Sequence, residues 1–116
     1  MVLPKDGHLL RIFLGESDHH QGVPLAEWIV QQAHAHGLAG ATVLRGVEGF
    51  GARSRLHTAK ILRLSSDLPL VVEIVDTKEK IEAFLPTIDD AIEEGLATLE
   101  KVEIRFYRGG SPKRDL

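Results

Sequence analysis

A chain of 116 residues, 43% hydrophobic and 27% charged, is sized for a single core and is too apolar for a disordered segment. It contains no cysteine, which excludes disulfides, thiolate metal sites and cysteine nucleophiles and suits a reducing, cytoplasmic setting. The net charge of −3 argues against general nucleic-acid binding, and neither a basic, apolar start nor a long apolar run is present, so direct membrane insertion is not expected.

His8 to Leu14 is rich in Leu, Ile and Phe and ends at Gly15, which predicts a buried strand. After a polar connection, Glu16 to Gly22, Pro24 suits the first turn of a helix that places Leu25, Ile29 and Ala33 on one face with Trp28 beside them. Gly37 stands where a left-handed residue would end that helix. Ala41 to Val47 reads as a second strand and Glu48 to Lys60 as a long loop. Ile61 to Leu64 and Leu70 to Val75 are strand-like around a bend at Ser65 to Pro69, forming one interrupted strand or two short ones.

Asp76 and Glu79 have capping-box spacing, with Thr77 as the alternative cap, ahead of the apolar stripe Ile81, Phe84, Leu85, Ile88 and Ile92. Pro86 predicts a kink or break in this second helix, and Gly95 its stop. Thr98 to Tyr107 alternates as a last strand with Val102, Ile104 and Phe106 on one face. The tail from Arg108 to Leu116 is expected to be mobile, outside an ordered core of about residues 8–108.

This order predicts a single α+β domain spanning residues 1–116, a ferredoxin-like βαββαβ sandwich whose antiparallel sheet carries both helices on one face. The other face would lack cover. If it bears Val43, Ile74 or Ile104 it is an association surface, and a homo-oligomer is expected; a monomer with a polar face is the alternative.

Charge is unevenly distributed. Arg45, Arg53, Arg55 and Lys60 face only Glu48 within a glycine-rich stretch. Gly49 and Gly51 can let an anion approach backbone N–H groups, and Arg53 and Arg55 offer forked donors to phosphate or carboxylate. The alternative is a glycine bulge with solvated arginines. His57 would anchor the loop or contact ligand. Asp18-His19-His20 is poorly spaced for a metal, His34 and His36 diverge on their helix, and Ser17, Ser54, Ser65, Ser66 and Ser111 lack a nucleophile elbow. Asp89, Asp90, Glu93 and Glu94 read as a solvated face, and Trp28 as packing. Arg105 and Arg108 could join a phosphate site on a neighbouring subunit or serve as rim charges.

Gly49-Phe50-Gly51-Ala52-Arg53-Ser54-Arg55-Leu56-His57-Thr58, set between strands, resembles the start of the T-loop of PII signal-transduction proteins. Leu9-Leu10-Arg11-Ile12-Phe13, Gly15-Glu16-Ser17-Asp18, Pro24-Leu25, Gly40 to Gly46, His57-Thr58 and Asp67-Leu68-Pro69 are similar to recurrent segments of the uncharacterised PII-like family DUF190. The resemblance implies a homotrimer with a small anionic ligand, such as ATP, ADP or AMP, in clefts between subunits. Gly49, Phe50, Gly51, Arg53, Ser54, Arg55, His57 and Thr58 become the ligand-binding candidates, and the loop would address a membrane transporter or enzyme. Against classical PII, Ser54 replaces the loop glutamine, and Glu94 to Glu100 offers no second glycine-rich phosphate loop. No catalytic residue or resident cofactor is expected. A ligand-independent interaction module and a small phosphate-processing enzyme are the alternatives.

Overall fold

The computed structural model describes residues 3–50, 57–58 and 67–110. Strand β1 (Asp6–Gly15) leads through a hairpin of β2 (His19–His20) and β3 (Val23–Pro24) into helix α1 (Leu25–Ala35). Strand β4 (Ala41–Arg45) and the short β5 (Glu48–Gly49) and β6 (His57–Thr58) follow. Strand β7 (Pro69–Asp76), helix α2 (Lys78–Asp89) and strand β8 (Leu96–Glu103) complete the chain. The main sheet runs β4-β7-β1-β8, with every neighbouring pair antiparallel. This is the ferredoxin-like α+β arrangement expected from the element order.

Alternation in the central strands builds the core. Leu10, Ile12 and Leu14 of β1 and Val72 and Ile74 of β7 point to the helices and are buried against Leu25, Ile29 and Ala33 of α1 and Ile81, Phe84 and Ile88 of α2. Each such Leu, Ile, Val or Phe contributes roughly 1.5–3 kcal/mol by leaving water. Helix α1 ends in a Schellman motif: the Leu38 N–H donates to the Ala33 carbonyl at 3.0 Å and the Gly37 N–H to the His34 carbonyl at 3.1 Å.

Several expectations need correction. The N-cap of α2 is Thr77, whose hydroxyl accepts from the Lys80 N–H at 3.2 Å. Asp76 is instead the last residue of β7 and falls on its helix-facing side. Its carboxylate is fully buried, accepting from the Ala39 N–H at 2.8 Å and the Thr77 N–H at 2.6 Å, with Lys80 Nζ at 3.8 Å. Pro86 lies inside α2 without breaking it. The helix stops at Asp89, where bonds from Ala91 N–H to Ile88 and from Ile92 N–H to Asp89 tighten the turn, and Gly95 directly precedes β8. β8 ends at Glu103, before the expected Tyr107.

The hairpin in the expected polar connection pairs His19 with Pro24 and His20 with Val23. Gln21 and Gly22 form its two-residue turn with φ of 53° and 80°, the positive angles that a primed turn requires. Gly22→Ala is therefore expected to cost about 1 kcal/mol, read as a lower urea midpoint at unchanged m-value.

The uncovered sheet face differs from expectation in part. Ile74 is wholly buried and Val43 lies opposite Val72 on the helix side of edge strand β4, whereas Ile104, just past β8, lies over Gly7 on the open face beside Leu9, Glu73 and Val75, as expected. Strand register adds Leu9, Phe13, Leu44, Val71, Val75, Leu96 and Val102 to the open face.

Candidate functional site

Strands β1 and β4 both run antiparallel to β7, so their C-terminal ends flank its beginning: Gly15 lies opposite Pro69 and Arg45 opposite Leu70. Three hydrogen bonds, two of them between backbone groups, close this corner. The Glu16 N–H donates to the Leu68 carbonyl at 2.9 Å, the Ser17 N–H to Asp67 Oδ1 at 2.8 Å, and the Gly46 N–H to the Pro69 carbonyl at 2.7 Å. The Gly15 N–H is taken by Asp18 Oδ2 at 2.9 Å, which closes the turn leaving β1. Across the corner Arg45 Nη2 meets Glu16 Oε2 at 2.8 Å. With the Arg45 side chain 60% exposed, this pair is worth at most about 1 kcal/mol and can exchange Glu16 for another anion.

From this corner the glycine-rich segment departs and returns. Glu48 pairs with Thr58 and Gly49 with His57 in the β5–β6 ladder, so the backbones of His57 and Thr58 anchor the returning arm. Gly49 is not among the positive-φ residues; a Cβ there would lie 3.2 Å from Pro69 Cγ, so the glycine serves close approach rather than special backbone angles. Phe50 and Val47 are 69% and 71% exposed. Among the binding candidates, Gly51, Arg53, Ser54 and Arg55 lie outside the described residues, as do the Ile61 to Leu64 strand and the tail beyond Gly110. The structure adds Arg45, Glu16 and Asp67 to this corner. The signal for Glu16 and Asp67 in the sequence was an acidic side chain in each of two turns beside a strand end, and Arg45 already stood in the basic cluster.

Other candidates separate. Asp18 is turned to Gly15, His19 Nδ1 lies 2.6 Å from the Ser17 carbonyl, and the His20 ring packs on Trp28 at 4.4 Å between centroids. No group of three metal-ligating side chains occurs among the described residues. His36 caps its own helix through the Gln32 carbonyl at 2.8 Å and sets its ring against Phe84. Arg105 pairs with Glu103 at 2.7 Å, and Arg108 stacks 4.6 Å from the centre of the Phe106 ring. Both follow the end of β8, at the far end of the sheet from the β1–β4–β7 corner of the same chain.

The open face has a polar rung that crosses all four strands, Thr42, Glu73, Arg11 and Thr98, directly beside the apolar rung Leu44, Val71, Phe13 and Leu96. Arg11 Nε donates to Glu73 Oε2 at 3.0 Å, and its Nη1 donates to Glu100. The hydrogen bond to Glu73 raises the Arg11 pKa above its ordinary value; partial burial opposes this and the charge of Glu100 adds to it, so the guanidinium is always charged. At the far end of this face a groove of about 360 Å³ opens between Leu9, Thr42, Glu73 and Val75 and the crossing segment Phe106–Tyr107. The Tyr107 hydroxyl pins that segment to the Ala39 carbonyl at 2.7 Å.

Residues 7–104 match the model of the DUF190 family, described as Uncharacterized ACR, COG1993, and the chain belongs to that family. A UPF0166 protein of Aquifex aeolicus (strain VF5) is 43% identical over 98 residues, covering 84% of this chain and 92% of its own. UPF0166 protein MJ1524 of Methanocaldococcus jannaschii is 35% identical, with coverage of 87% and 92%. Among solved structures, CPII, a nitrogen regulatory PII-like protein from Thiomonas intermedia K12 bound to ADP, AMP and bicarbonate, superposes with a TM-score of 0.66 at 14% identity, covering 85% of this chain and 88% of CPII. A putative PII-like signaling protein of Thermus thermophilus gives 0.60 at 18% identity, with coverage of 90% and 93%. At these identities the shared property is the fold.

Proposed function

We propose that the chain is a cytoplasmic PII-like regulator that binds a small anionic ligand, an adenine nucleotide, at the corner of β1, β4 and β7 and reports it through the segment 48–60. The observation carrying this reading is that the glycine- and arginine-rich segment leaves from a corner whose strand ends are tied together by hydrogen bonds. A fixed root lets ligand select among shapes of the segment without disturbing the core, and differential affinity for those shapes is what makes a signal. The ADP and AMP bound to CPII give the ligand class. The open apolar face supports self-association, as a homotrimer with the ligand at its seams, and the reported partner is a transporter or an enzyme. Catalysis is not part of this reading.

Titration calorimetry with ATP, ADP and AMP, with and without bicarbonate, tests it. Heat of binding is expected from at least one nucleotide, and Arg53→Ala/Arg55→Ala is expected to weaken that binding at least about tenfold, the loss of two charge-assisted contacts. No heat from any of them removes the nucleotide; undiminished affinity in the variant removes the assigned arginines. Exposed Val47 and Phe50 favour a second reading, a ligand-independent module that docks through these side chains. Partner capture that is indifferent to nucleotide would select it.

A further inference from the structure

At the corner of β1, β4 and β7 the acidic side chains divide by what they hold. Asp18 and Asp67 hold the turn, accepting from the Gly15 N–H at 2.9 Å and the Ser17 N–H at 2.8 Å. Asp67 packs so closely that a Cβ on Gly15 would stand 2.6 Å from its Oδ1. Glu16 has its backbone fixed through its N–H to the Leu68 carbonyl at 2.9 Å, whereas its carboxylate reaches across to Arg45. The turn therefore keeps its shape without this carboxylate.

Arg45 is the last residue of β4 and lies opposite Leu70, on the helix-facing side of the sheet. The Gly46 N–H that follows is tied to the Pro69 carbonyl at 2.7 Å. Both contacts with Glu16 fall on one nitrogen: Nη2 lies 3.0 Å from Oε1 and 2.8 Å from Oε2. The donors on Nε and Nη1 have no partner among the described residues. With 60% of the side chain exposed, the guanidinium can turn while the backbone on either side stays fixed.

We propose that Glu16 is a resident stand-in for the ligand: its carboxylate holds Arg45 while the site is empty, and a bound nucleotide displaces it by presenting a phosphate to the same guanidinium. This rests on the nucleotide reading above and adds to it a cation, Arg45, and a built-in competitor. The exchange selects phosphate over carboxylate. A carboxylate ligand offers Arg45 a single charge, no more than Glu16 already gives, whereas a terminal phosphate carries about 1.5 to 2 charges at neutral pH and more acceptor oxygens. Because Arg45 closes β4 just before the segment 48–60 departs, the exchange registers the ligand at the root of that segment.

Titration calorimetry with ATP, ADP and AMP in about 0.15 M salt, on the starting chain and on Glu16→Gln, Arg45→Gln and the double variant, tests the exchange. Glu16→Gln is expected to bind nucleotide about three- to fivefold more tightly, since an exposed ion pair no longer has to be broken. Arg45→Gln is expected to bind about tenfold more weakly, having lost a charge-assisted contact. In the Arg45→Gln background, Glu16→Gln is expected to change affinity by less than about twofold, because no guanidinium remains to be released. Circular dichroism checks that each variant is folded. A gain from Glu16→Gln that is equal in both backgrounds would show a general field effect and overturn the exchange. So would a Glu16→Gln chain that binds no more tightly than the starting chain, or an Arg45→Gln chain that loses nothing. In these three cases the nucleotide reading stands. Nucleotide that binds only after Glu16→Gln supports both; nucleotide that binds neither chain removes both.

Discussion

Replacing Asp76 with leucine is expected to lower the unfolding free energy by about 3–5 kcal/mol, the size seen when one partner of a buried charged network is removed. Leucine keeps the branched outline, with bulkier methyls in place of the oxygens, but accepts nothing, so the Ala39 and Thr77 N–H groups, now bonded at 2.8 and 2.6 Å, lose their acceptor in a place closed to water. Lys80 loses its counter-charge at 3.8 Å and keeps only the Gly37 carbonyl at 2.7 Å. Asp76→Asn retains one acceptor oxygen and should cost distinctly less. Urea unfolding followed by circular dichroism gives both numbers, and a loss below about 1 kcal/mol for the leucine variant would show that the carboxylate does not join β7, α2 and the approach to β4 as described.

Phe84→Ala is expected to have a comparable effect, about 3–5 kcal/mol, through a different mechanism: lost transfer free energy and an uncollapsed cavity. Phe84 is 1% exposed and is the largest wholly buried side chain among the described residues, part of the core shared by the sheet and both helices, with its ring against His36 at 5.5 Å. With aromatics only 5% of the chain, few neighbours are large enough to relax into the space. The measurement is again the denaturation midpoint, and a loss within about 1 kcal/mol would mean that the helices shift to refill the site.

The element order and the core stripes of β1, α1 and α2 were legible because each has one apolar period: Leu10, Ile12 and Leu14 alternate, and Ile81, Phe84 and Ile88 recur at helical spacing. The choice of face failed on β7, where Leu70-Val71-Val72 and Ile74-Val75 are apolar at both parities. Periodicity cannot say there which side meets the helices; only register against β1 does. The signal that was passed over is the lone charge within each apolar run, Arg11 in Leu9 to Leu14 and Glu73 in Leu70 to Val75, which mark the solvent-side parity and bond to each other. Asp76 was taken for a cap because its spacing to Glu79 fits one, but the strand runs one residue further and brings the carboxylate inside. The β2–β3 hairpin has strands of two residues, too short for any period, although Gln21-Gly22 is a readable turn pair. At the candidate site, Gly49 and the backbones of His57 and Thr58 stand at the root where the sequence put them, and the joining of Glu16 to Arg45 needed the fold, since 29 residues separate them.

The two-rung ladder of Glu48–Gly49 with His57–Thr58 works as a clasp: it fixes the separation of the two arms before the intervening residues begin. Lengthening a segment between fixed ends is inexpensive, about 0.6 kcal/mol for each doubling. Variation in length and composition beyond the clasp can therefore accumulate without moving β4 or β7, so that what the protein recognises can diversify while the scaffold beneath it stays the same.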